Sequence, residues 1–164
     1  MNRAKSLPSL LYRHRKDTKL PQPVWVGLLL ACVRLWLVWK WCYHGWHKLG
    51  SSRWVGPEAG AAVREFATLA IQLAASENPS VHPLYAMAAQ RLFLPLARPL
   101  SYVVLISEAL LPFGLLIPRL TRPSAVFGAL LNVLFLMGGE ARDNPRMLFA
   151  QLIVIAGHRA KRDD

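Results

Sequence analysis

The sequence predicts an all-α integral membrane protein, a four-helix bundle with an amphipathic external segment between its first and second spans. Two apolar runs, 24–42 and 100–117, each come close to the ~20 residues that cross a bilayer. Hydrophobic residues make up 54% of the chain and charged residues 18%, against about 25% charged in an ordinary soluble domain. The third observation is where the positive charge lies. A net charge of +11 on a soluble protein would suggest a nucleic-acid surface, but here the basic residues gather at the chain ends and in one short link.

Residues 1–23 form a basic tail with Arg3, Lys5, Arg13, Arg15, Lys16 and Lys19. The link after the second apolar run carries Arg119 and Arg122, and the tail 158–164 carries Arg159, Lys161 and Arg162. A chain that crosses four times puts all three on the same side. The positive-inside rule makes that side the cytoplasm, with both termini there and a multi-pass membrane domain over 24–157. Lipid is then the partner implied by the charge, and nucleic acid is excluded.

The first run reads as a retained anchor. It is longer than a signal core, contains Arg34, and is followed by Trp, Lys and His where a cleavage site would need small residues. Cys32 and Cys42 lie about 15 Å apart along one rod, too far for a disulfide, and lack CxxC spacing. They read as small apolar helix residues.

Where this helix leaves the membrane, Trp36, Trp39, Trp41, Tyr43 and Trp46 form an aromatic belt, with Lys40 and Lys48 positioned to snorkel. His44 and His47, three residues apart, are weaker candidates as a ligand pair for a metal or a quinone carbonyl. The belt is the simpler reading.

The external segment, about 50–99, is not a featureless linker. Val63, Phe66, Ala67, Ala70, Leu73 and Ala74 recur at helical spacing and predict an amphipathic helix ending before Asn78-Pro79. A second short helix runs from Pro83 to about Leu96, and Pro95 and Pro99 interrupt the path into the next span. The segment either caps the bundle or lies against lipid headgroups.

The second span carries Glu108, then Pro112, where a kink is expected, then Gly114. The third, 124–139, carries Asn132, whose amide seeks an interhelical partner. The fourth opens at Asp143-Asn144-Pro145, with Asn144 as the expected cap and Pro145 at the first helical position. Its apolar stretch, 147–157, is short, but only a crossing there keeps the last tail on the cytoplasmic side.

Arg34 and Glu108 are the two charges set within apolar runs. Each costs roughly 2.5–3.5 kcal/mol at mid-membrane unless it faces a partner, a cavity or a ligand. Counting from the run ends places Arg34 about 15 Å and Glu108 about 12 Å deep, near the middle of a ~30 Å core. They are expected to meet, either as an ion pair tying two helices together or as a site for a polar ligand.

Taken together, several features resemble a known family: the first helix with Arg34, the exit His44-Gly45-x-x-Lys48-Leu49, the second helix with Glu108 and Gly114, the turn Ile117-Pro118-Arg119-x-x-Arg122, and the closing Asn144-Pro145 helix. Over most of 24–156 these are similar to the DoxX/DoxD family of small four-helix membrane proteins. The long external segment and the stretch from Gly138-Gly139 to Asn144-Pro145 look more like the DoxD branch, associated with the small subunit of thiosulfate:quinone oxidoreductase. The resemblance implies a prokaryotic cell-membrane protein working with redox partners and the quinone pool, with Arg34, Lys48, Glu108 and Asn144 at the family's polar positions.

The residues themselves carry no CxxC pair, no dinucleotide-binding glycine fingerprint and no Cys/His metal set, so no intrinsic cofactor or metal site is expected. Electron transfer then needs a partner protein subunit or a bound quinone. Three functions stay open: a quinone-facing oxidoreductase subunit, a non-catalytic anchor or assembly subunit for a soluble enzyme, and a small transporter or proton path through Glu108.

Overall fold

The computed structural model describes residues 24–162, with side chains as far as Gly157. The basic tail 1–23 therefore lies outside the described residues, as do the side chains of Arg159, Lys161 and Arg162. Among the described residues there are six α-helices and no strand: α1 (Val24–Leu49), α2 (Ala61–Ala74), α3 (Pro83–Ala88), α4 (Ala97–Leu116), α5 (Thr121–Met137) and α6 (Asn144–Arg162). A π-helical turn, Ala89–Phe93, follows α3 directly.

The four long helices pack in a ring, in the order α1, α4, α5, α6 and back to α1. Their shared core is built from Leu37, Trp41, Leu111, Leu115, Ala125, Met147, Ala150 and Val154. Small residues let the helices approach closely. A Cβ on Gly128 would sit 2.2 Å from Gln151 Nε2 and 3.3 Å from Trp41 Cζ2, so α5 meets α6 and α1 there only as glycine.

The outer surface of this ring is apolar. Leu110 and Phe113 on α4 are 62% and 64% exposed, and Leu28, Leu35 and Trp39 on α1, Leu130 and Leu134 on α5, and Phe149 and Leu152 on α6 also face outward. Polar side chains instead lie inside: Ser101, Glu108, Thr121, Asn132 and Gln151 are buried. Helices α1 and α4 are long and apolar enough to cross a membrane; α5 is apolar but shorter, at 17 residues.

The segment between α1 and α4 docks on one end of the ring. Its own small core joins Ala70, Val81 and Tyr85, with Phe66, Leu73 and Phe93 packed around them. Phe66 meets Phe135 of α5 edge to face at 6.2 Å, and Tyr85 donates a hydrogen bond to the Leu134 carbonyl at 2.8 Å. Burial pushes the Tyr85 hydroxyl up to about 12, which keeps it a neutral donor. Ser101 Oγ at the start of α4 donates to the Trp54 carbonyl at 3.0 Å. These contacts make the segment a cap on the ring. Pro112 lies buried within α4, and the proline at 99 falls in that helix's first turn, where its missing N–H is tolerated.

Candidate functional site

The α1 sequence puts Lys40, His44 and Lys48 four residues apart, which stacks them along one helix face. That face turns toward α4 and the start of α6. Lys48 donates to Glu108 Oε1 of α4, joining the two helices through an ion pair whose carboxylate is only 2% exposed. Trp54 of the cap lies over the ammonium at 4.3 Å, and Phe135 of α5 lies at 5.5 Å. The cation is therefore held by a carboxylate on one side and aromatic faces on others, which offsets its desolvation. Glu108 Oε2 is buried and finds no partner among the described residues.

Two helical turns back, Lys40 donates to Asp143 Oδ2 at 2.9 Å, and His44 Nε2, one turn back, lies 3.5 Å from the same oxygen without hydrogen-bond geometry. The Lys40 hydrogen bond holds the Asp143 carboxyl below the usual aspartate range, and the charges of Lys40, His44 and Arg146 act in the same direction. His47 does not converge with His44: it is exposed and stacks loosely on Tyr43, ring centres 6.3 Å apart. Among the described residues no group of three or more His, Cys, Asp or Glu side chains gathers as a metal-ligand set.

Asn132 of α5 donates to Gln151 Oε1 of α6 at 2.8 Å, with both residues fully buried. Asn132 Oδ1, Gln151 Nε2 and Trp41 Nε1 are buried without partners among the described residues. Asn144 is the first residue of α6 and its Nδ2 donates back to the Glu140 carbonyl at 2.8 Å. The cap position falls one residue earlier than expected, because the Asp143 carbonyl accepts from the Met147 N–H at 3.1 Å.

The expected meeting of Arg34 and Glu108 does not occur. Gly45 is the α1 residue that faces Glu108 and Ala109, with a Cβ there 3.7 Å from the Ala109 nitrogen. Arg34 is eleven residues back, about 16 Å along the axis. The physical reason is that α1 continues past its apolar run to Leu49, so α4 packs on its outer half and Glu108 lies within reach of Lys48. Arg34 instead lines a separate recess with Gly27, Leu30, Ala31, Thr121, Val154 and Gly157.

Of the residues the sequence singles out, Lys48 contacts Glu108, Asn132 contacts Gln151, His44 lies beside Asp143, and Arg34 and His47 stand apart; the partners Asp143 and Gln151 were not among the candidates. Asp143 was visible only as part of a helix start, and Gln151 lay in a stretch judged by its hydropathy. The i, i+4, i+8 spacing of Lys40, His44 and Lys48 is the signal that would have marked the polar face of α1. No family model, no curated protein and no solved structure matches this chain.

Proposed function

We propose that this chain is a four-span membrane protein with both termini cytoplasmic, serving as a DoxX/DoxD-like subunit of quinone-linked redox metabolism. The observation that carries this reading is the Lys48–Glu108 pair, buried inside a helix ring whose outer surface is apolar. A soluble protein gains nothing from that inversion, whereas a bilayer rewards it. In a prokaryotic cell membrane, α1, α4, α5 and α6 are then the spans, and the cap lies on the outer face.

Lys48 is a donor suited to a quinone carbonyl oxygen, and Glu108 keeps one buried oxygen free of partners. A bound quinone supplies the two-electron acceptor chemistry. Electrons would come from thiosulfate oxidised at a partner subunit, Lys48 would donate to a headgroup oxygen, and Glu108, an ion-paired carboxylate at rest, would relay to the quinone the two protons its two electrons require, each taken up from solvent. Trp54 of the cap covers one side of the ammonium and leaves Lys48 17% exposed. The test is thiosulfate-dependent quinone reduction by the full chain purified with its partner: it should be present in the wild type and lost in Glu108→Gln with assembly unchanged. An inactive wild-type complex would remove this activity.

The closure of the same pair favours a second reading, a non-catalytic anchor or assembly subunit. A carboxylate 2% exposed, paired with an ammonium that lies against aromatic rings, is also a good structural tie. The Lys48→Met/Glu108→Leu double variant separates the two. If quinone reduction and partner capture both survive in it, the chain is an anchor.

A further inference from the structure

The recess around Arg34 is a second polar feature, remote from Lys48 and Glu108. Helices α1 and α6 extend past the turn that joins α4 to α5: Gly157 of α6 packs on Leu30 of α1, where a Cβ would meet Leu30 Cδ2 at 2.5 Å. The end of α4 at Leu116 leaves this pair of helices without a full ring around them. The result is a notch of about 120 Å³ lined by Gly27, Leu30, Ala31 and Arg34 on one side, Val154 and Gly157 on another, and Thr121 at its base. That volume is well above the ~10–15 Å³ one water needs.

The notch has one charged wall and otherwise small or apolar ones. Arg34 Nε is buried and has no partner among the described residues. A guanidinium N–H in that position calls for an acceptor, and a planar fork beside small residues suits a phosphate oxygen pair better than a single carbonyl. The Thr121 hydroxyl is already committed, lying 3.1 Å from the Leu115 carbonyl and 3.0 Å from the Ile117 carbonyl, so Arg34 is the group that recognises the ligand. Arg119 in the α4–α5 turn and Arg122 in the first turn of α5 add positive potential at this end.

We propose that this notch binds the phosphate of an anionic amphiphile, with Arg34 on the phosphate and the Leu30, Ala31 and Val154 walls against its apolar part. The inference rests on the membrane reading above: the notch takes in Thr121 beside the α4–α5 turn, so Arg34 lies toward the inner leaflet and not at the mid-membrane depth that residue counting gave, and anionic lipids meet basic pockets between helices at that face. Phosphate chemistry is common to a lipid headgroup and to free phosphate; the apolar walls favour the lipid.

The test uses the full chain, expressed in membranes, extracted by carbonate, then purified in detergent and titrated with phosphatidylglycerol, phosphatidylcholine or inorganic phosphate under native mass spectrometry. Wild type should retain phosphatidylglycerol, and Arg34→Gln should weaken that retention about tenfold while leaving phosphatidylcholine adducts unchanged. Gly27→Phe supplies an independent variant, because a Cβ at Gly27 meets nothing within 4 Å and the ring fills the notch without disturbing the core. It too should lose phosphatidylglycerol. Equal retention by wild type, Arg34→Gln and Gly27→Phe, with the protein in the carbonate pellet, would overturn this proposal alone. Displacement of all phosphatidylglycerol by inorganic phosphate would overturn the lipid assignment in favour of a free-anion site. Wild-type protein in the carbonate supernatant would overturn the membrane reading and this proposal together.

Discussion

Lys48 reaches across from the last turn of α1 to Glu108 in the middle of α4, and Trp54 of the cap closes over the ammonium at 4.3 Å. One contact thus joins three parts of the chain: the first long helix, the second, and the segment between them. A buried ion pair is weak evidence for stability by itself, since desolvation offsets attraction, but removing one partner strands the other charge.

Lys48→Met should therefore destabilise the protein by roughly 3–5 kcal/mol, and Glu108→Leu by a similar amount. The Lys48→Met/Glu108→Leu double variant should recover most of that loss, because no uncompensated charge remains. Thermal unfolding of the four proteins in one detergent measures the cycle. Losses in the single variants that simply add in the double would show that the pair is not coupled.

Most of the helical content was legible in the sequence, because long apolar runs and helical periodicity report helices directly. The partner of Glu108 was not. Depth counting places two residues level only if both runs begin at opposite membrane faces and end where their helices end. Helix α1 runs seven residues past its apolar run, to Leu49, and that overhang brings Lys48 rather than Arg34 to Glu108. Helix α6 was underestimated for the same reason. Asn144-Pro145 marks its start to within one residue, but the apolar stretch stops at 157 while the helix continues through polar residues to Arg162. The π-helical turn 89–93 leaves no periodic signal that hydropathy could detect.

The amide pair between α5 and α6 gives a smaller effect. Asn132→Leu leaves Gln151 buried without its 2.8 Å donor and, on the proposed membrane reading, should cost about 1 kcal/mol, the range for hydrogen bonds between membrane helices. Gln151→Leu should cost about the same, and the double variant less than the sum of the two. Chemical denaturation in mixed micelles reads these differences.

The cap depends on one glycine. Gly60 has φ +93°, and a Cβ there would lie 2.7 Å from the Arg98 nitrogen and 2.8 Å from the Ala97 carbonyl carbon, both backbone atoms that cannot rotate away. Gly60→Ala combines left-handed strain of ~1–3 kcal/mol with overpacking of ~1–3 kcal/mol. It should loosen the cap from α4 while leaving the ring assembled. Limited proteolysis should then cut within 50–60 at protease levels that spare the wild type; equal resistance would mean that the cap is held elsewhere.

The Asp143 cluster sets a pH dependence whose sign follows from its geometry. The Lys40 ammonium, 2.9 Å away, favours the ionised carboxylate, and His44 and Arg146 add to that preference, so the folded protein binds this proton less readily than the unfolded chain. Stability from the contact is fully present above the unfolded aspartate value of ~3.9 and is lost as pH falls through the lower folded value. Asp143→Asn keeps the shape of the side chain but removes the charge. The melting temperature of wild type should exceed that of Asp143→Asn by a constant margin through the neutral range, and the margin should close only under acid conditions, below about pH 4. A margin that widens as pH falls below about 4 would contradict the direction of this linkage. Lys40→Met should remove the same margin at neutral pH, because the carboxylate then loses its hydrogen-bond donor, and combining it with Asp143→Asn should add little.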